Sequence, residues 1–160
     1  MAVNDKALRK QLVWLLESRD AHVSLDDALR GLPAGLRGKK PAGAAHTPWQ
    51  ILEHIRLAQW DILEFSRDPN HASLPFPDGY WPATEAPPSA RDWQKSIAAI
   101  HRDLRLMIRL VEDPKTDLFA RIPHGDGQTV LREAMLIADH TAYHAGELVT
   151  VRRLLGCWPH

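Results

Sequence analysis

A single cysteine, Cys157, stands in 160 residues. One thiol cannot close an internal disulfide, so nothing points to an oxidising compartment. No apolar run approaches the roughly 20 residues needed to span a bilayer. The opening MAVNDKALRK has no apolar segment of the kind a secretory leader needs. The expectation is a cytoplasmic protein with no membrane contact. Net charge is missing as well, because 20 basic and 20 acidic residues cancel. A broad nucleic-acid surface needs clustered positive charge, so no nucleic-acid partner is expected. A neutral chain also has little self-repulsion to oppose association. There is no internal repeat, no low-complexity tract and no strand pattern of weight. There is no H-E-x-x-H either, so a metalloprotease mechanism has no support.

What the chain does have is nine histidines, six tryptophans and twelve prolines. The prolines avoid the periodic segments and so mark the loops. Four long helices are expected, over 4–18, 47–67, 89–112 and 129–155. In the first, Leu8, Leu12, Leu15 and Leu16 form the stripe, Trp14 flanks it, and Asn4 and Asp5 suit its start. A short extra helix opens at Ser24 and ends near Gly31. Thr47, Pro48 and Gln50 make a capping box with proline at the first helical position. Ile51, Ile55, Ala58, Ile62 and Phe65 continue that helix. Ser89 caps the third, where Trp93, Ile97, Ile100, Leu104, Met107, Ile108 and Val111 alternate steps of three and four. Thr129 opens the last helix and Gly156 stops it. This is an all-α chain: a single domain over 1–160, built as an antiparallel four-helix bundle with one short extra helix. The loop over 68–88 is long enough to have a task, with Phe76, Tyr80 and Trp81 either anchoring it on the end of the bundle or walling a pocket.

The chemistry concentrates in the last helix. His140 and His144 are four apart, which puts both imidazoles on one helical face about 6 Å apart along the axis. Such a pair can grip one metal ion. His54, bordering the stripe of the second long helix, is the candidate third ligand. Three nitrogen ligands leave a coordination position open, as in catalytic and not structural sites. On spacing alone the alternative stays open, that these histidines simply bond backbone and water.

The phrase T-P-W-Q-I-L-E-H-I over 47–55 and the phrase D-H-T-A-Y-H-A-G-E-L over 139–148 resemble the DinB-like family of four-helix proteins. The resemblance runs through nearly the whole chain in order and spacing. It implies an up-down-down-up bundle and a divalent metal, zinc or nickel, held by His54, His140 and His144. It also implies kinship with enzymes that use a low-molecular-weight thiol (mycothiol or bacillithiol), including S-transferases and a maleylpyruvate isomerase. The functional expectation is a metal-dependent enzyme that acts on a small molecule by thiol transfer or hydrolysis. The alternative is a non-catalytic metal-binding or assembly domain.

Glu147, one turn past His144, is the candidate catalytic residue. It could bond water at the metal or orient a ligand, with solvent exposure or a dimer contact as its other fate. Asp139 and Tyr143 are assigned to packing or solvent and Glu53 and Arg56 to solvent; His22 could reach the mouth of the bundle but is not counted in the site. His71 and His124 lie outside the ligand set, and Cys157 is not a nucleophile. Zero net charge, the flanking Trp14 and Trp60 and the habit of the family lead to the expectation of a homodimer.

Overall fold

The structure is a computed structural model that describes residues 5–17 and 21–159. Five α-helices occur among these residues: α1 (Asp5–Glu17), α2 (Leu25–Leu29), α3 (Pro48–Arg67), α4 (Ala90–Glu112) and α5 (Val130–Leu154). The described residues contain no strand, only an isolated bridge between Arg121 and Thr129 ahead of α5. No described helix is long and apolar enough to cross a membrane.

The helix starts follow from local chemistry. The Thr47 hydroxyl accepts the Gln50 N–H at 3.2 Å, and the Gln50 side chain accepts the Thr47 N–H at 3.0 Å. Two of the three orphan donors at the start of α3 are thereby satisfied, Pro48 having no N–H to leave unpaired. Ser24, Ser89 and Thr129 each accept one backbone N–H at the starts of α2, α4 and α5. At the other end of α5, Gly156 takes the left-handed φ of +67° that halts a helix. The expected cap at Asn4 and helix end at Ser18 lie outside the described residues.

α3 is the central element, in contact with both α4 and α5. Along α3 and α4 the paired numbers climb together: the Trp49 ring lies near Trp93, Ser96 donates to Glu53, and the Gln59 amide donates to the Ile100 carbonyl at 2.7 Å. Along α3 and α5 they run opposed, with His54 against His140 and His144, and Phe65 against His124 just before α5. Arg9 of α1 donates to the Val111 and Asp113 carbonyls where α4 ends, at 2.6 and 2.9 Å. The buried residues form two apolar clusters. One gathers α2 with Ile51, Leu52, Ile55, Trp93 and Leu148. The other gathers Leu12, Leu16, Leu63, Met107, Leu118 and Ile137. The histidines of α3 and α5 fall at the junction between them.

Three expectations need correction. Leu15 is 41% exposed, because α1 buries Leu12 and Leu16 and turns Leu15 outward beside Trp14. Glu53 is not solvated. It is buried, accepting two bonds from Arg56 and one from Ser96, because α4 covers the flank of α3 that a lone helix would leave wet. Of the two roles expected for Phe76 the anchor fails, since it is 88% exposed, while its place on the rim of the cavity beside His54 stands. There the chain makes a tight turn in which the Gly79 N–H reaches the Pro75 carbonyl at 2.7 Å. A Cβ on Gly79 would stand 2.8 Å from the Pro75 ring. The turn sends Phe76 outward and Tyr80 and Trp81 inward.

Candidate metal centre

His54 comes from the second turn of α3, and His140 and His144 from the middle of α5. The antiparallel seam brings the three together, with one ligand nitrogen from each lying within 4.8 Å of the others. The His54 and His140 Nε2 atoms are 3.0 Å apart. His144 is buried and the other two are half-buried.

The atoms around the rings decide which nitrogens face inward. His54 Nδ1 lies 2.9 Å from the Tyr80 carbonyl oxygen, which can only accept, so Nδ1 carries the proton. His144 Nδ1 lies 2.7 Å from Glu147 Oε2, also an acceptor, and carries its proton likewise. In neutral imidazoles both Nε2 atoms are then bare lone pairs. A bare His54 Nε2 facing His140 Nε2 at 3.0 Å is repulsive unless a proton or a cation is shared between them. Nitrogen donors with their outer N–H groups fixed by a carbonyl and a carboxylate are what a metal-binding histidine set requires. The donors therefore fit a divalent ion of the imidazole-preferring kind.

Burial and mutual charge favour the neutral forms of His54 and His140. Desolvation is the main cause that lowers the His140 pKa to about 4, with His144 and His54 adding to it. Desolvation also lowers that of His54, against the upward pull of the Tyr80 carbonyl. Glu147 is held below the usual carboxylate range, chiefly by its bond from His144. Neutral imidazole is the form that binds metal.

The surroundings were only partly expected. Glu147 is neither free in solvent nor turned outward; its second oxygen lies 3.3 Å from His46 Nδ1. His46 was missed, because it precedes the cap of α3 and no helical period ties it to the others. The Trp81 ring lies between His46 and His54, stacked on both at centroid distances of 3.7 and 3.9 Å. The 68–88 loop is thus a wall of the site and not a cover over the end of the helices. Tyr80 donates its hydroxyl to Asp61 at 2.7 Å, and His71 bonds the other Asp61 oxygen at 2.7 Å. His71 and His124 stay outside the cluster, as expected, His124 donating to the Phe65 carbonyl. So do His22, which bonds the Val23 carbonyl, and Cys157. Tyr143 is 72% exposed, with its ring edge against His144.

A cavity of about 310 Å³ opens beside His54 and His140. Its walls include Ala58, Ile62, Phe65 and Leu136, and its polar lining includes Asp61, Tyr80 and Glu133. Asp61 and Glu133 carried a legible signal, since each stands seven residues from a histidine on its own helix.

A family model described as the DinB superfamily matches residues 19–148. The chain belongs to the DinB superfamily. The match takes in all three clustered histidines. Membership and the cluster together fit a metal-binding role. Neither the comparison with curated proteins nor that with solved structures yields a match.

Proposed function

We propose that this DinB-superfamily protein is a metal-dependent enzyme acting on a small molecule, folded as an up-down-down-up four-helix bundle. The observation that carries the reading is the convergence of His54, His140 and His144 beside a cavity large enough for a small organic molecule. Among the described residues the cluster holds three donors and no fourth side chain. That is the donor count of a catalytic site, where one position serves water or substrate. The helix directions fit as well: α3 runs with α4 and against α5, and α1 runs against α4.

A bound zinc or nickel ion supplies Lewis acidity, which brings a thiol or water toward its anion at neutral pH and polarises the bond under attack. The protein's own residues prepare that chemistry. Tyr80 and Glu147 fix the tautomers of His54 and His144, so that both Nε2 lone pairs point inward. Trp81 restrains the His54 ring by stacking on it and shields it from water. Glu147, with both oxygens on histidines, acts as a positioning residue and not as a direct acid or base. Thiol transfer, with a low-molecular-weight thiol as second substrate, and hydrolysis share this arrangement. We further propose a homodimer, in which exposed apolar side chains such as Trp14 and Leu15 are covered.

The test is elemental analysis of purified, untagged protein, followed by assays of zinc-, nickel- and manganese-loaded samples against a panel of thiols and electrophiles. About one divalent ion per chain is expected, and His140→Ala should lose most of it. Full metal retention in His140→Ala would sink the triad. Loaded protein with no turnover in any combination would favour a non-catalytic metal-binding or assembly domain. Light scattering showing a monomer throughout the micromolar range would refute the dimer.

A further inference from the structure

The cavity beside the histidines has a second polar end. Asp61 lies seven residues after His54 on α3, and Glu133 lies seven residues before His140 on α5. Seven residues are two helical turns, about 10 Å along the axis. Because α3 and α5 are antiparallel, both acids are displaced toward the same end of the seam. All four side chains line one cavity of about 310 Å³. The space therefore has a histidine end and a carboxylate end, with the apolar walls of Ala58 and Leu136 between them.

At the carboxylate end some acceptors are left unfilled. The Glu133 side chain is only 4% exposed, and one oxygen is held by Arg132. Its other oxygen has no hydrogen-bond partner among the described residues. Gln128 Oε1, in the lining of the same cavity, is buried and has no partner either. Asp61 is 7% exposed, and each of its oxygens accepts a single bond, from His71 and from Tyr80. Among the described residues Arg132 is the one Lys or Arg in the lining. Its side chain is 57% exposed and reaches Glu133 from outside. Two carboxylates share this lining with one guanidinium. Buried acceptors left unfilled in a largely apolar cavity, with carboxylates in excess over guanidinium, favour a ligand that brings hydrogen-bond donors and positive charge.

We propose that the substrate is an organic ammonium compound, bound lengthwise, with its ammonium group between Asp61 and Glu133 and its reacting group at the histidine end. The ammonium offers three N–H donors, and Glu133, Asp61 and Gln128 present the acceptors to receive them. Phe65 and Tyr80 also line the cavity, and aromatic rings are favourable neighbours for a cation. The apolar middle fits a short hydrocarbon or aromatic spacer. The part of this inference that concerns reaction rests on the function proposed above, whereas the ammonium site needs no metal.

The probe is phenethylammonium, compared with its neutral counterpart 2-phenylethanol, titrated calorimetrically into the full-length protein with zinc and after treatment with EDTA. The ammonium probe should bind both samples, at least about tenfold more tightly than the alcohol, as the loss of a charge-assisted bond implies. Glu133→Gln and Asp61→Asn should each weaken it about tenfold while leaving zinc content unchanged. Circular dichroism verifies that each variant is folded. His140→Ala should lose zinc and keep the probe. Equal affinity for the two probes, or unchanged binding in both carboxylate variants, would overturn the ammonium site while leaving the metal reading intact. Probe binding by a protein that takes up no zinc would sustain the site and remove the metal reading.

Discussion

The α1–α4 seam and the α3–α5 seam lie in one small protein and follow opposite rules. Between α1 and α4 the interior is Leu12, Leu16, Met107 and Val111, each at most 4% exposed. Between α3 and α5 the apolar run is broken by His54, Asp61, Glu133, His140 and His144. Burying such groups costs free energy that close-packed leucines would not. The first seam contributes stability, and the second draws on it to hold polar groups in place. A helix pair that holds five ionisable side chains buried or half-buried marks the candidate ligand site.

The sharpest way to break the comparison is to cut into the apolar seam. Met107 is fully buried. Met107→Ala should destabilise the fold by about 2–5 kcal/mol, read by urea unfolding, because a cavity replaces a packed side chain. Metal content at neutral pH should be unchanged. A variant that keeps its stability but sheds its metal would reverse the assignment of roles.

Acid acts on the other seam. Unfolded, His140 takes up a proton near pH 6.5; folded, it refuses one until about pH 4. Between those values the unfolded chain holds more protons, so stability falls as the pH drops through the window and is fully present above it. Metal-free protein should lose up to about 3 kcal/mol across that interval from this residue. His140→Ala should flatten that part of the profile, and identical pH profiles for the two proteins would refute the account. In the metal-loaded protein, metal should be held through pH 6 and leave only as the pH falls toward the lowered pKa of His140, about 4, because protons compete with the ion for its imidazole ligands. The helices should persist, and a chelator at pH 7.5 that melts them would show the ion to be structural.

Smaller effects sharpen the same contrast. Glu147→Gln keeps the size of the side chain but weakens its hold on His144. Metal affinity should drop about 10–100-fold, with stability nearly unaltered, as for other partners of metal ligands. A competition titration with a chromophoric chelator measures it, and unchanged affinity would leave Glu147 without the positioning role. Trp81→Leu removes the ring stacked on His54 and His46. It should cost about 0.5–1.5 kcal/mol of stacking and a smaller loss of affinity than Glu147→Gln. An effect exceeding that of Glu147→Gln would move the weight of positioning from the carboxylate to the loop.

By itself the sequence determined the elements, because their causes are local. The cap at Thr47, the proline after it, the stop at Gly156 and the spacing from Trp93 to Val111 act within a turn or two of the chain. The pairing of His140 with His144 was legible for the same reason, four residues being one turn. The third histidine needed the family resemblance, since nothing local ties His54 to the last helix. Only the tertiary structure decided what crosses between elements: Glu53 buried under α4, Glu147 bridging two histidines, Trp81 brought from a loop to stack on His54. It also aligned Asp61 with Glu133, because only antiparallel packing turns two separate seven-residue intervals into one end of a cavity. Periodicity records which face of a helix is buried, and the neighbour that buries it is chosen by the packing of the whole chain.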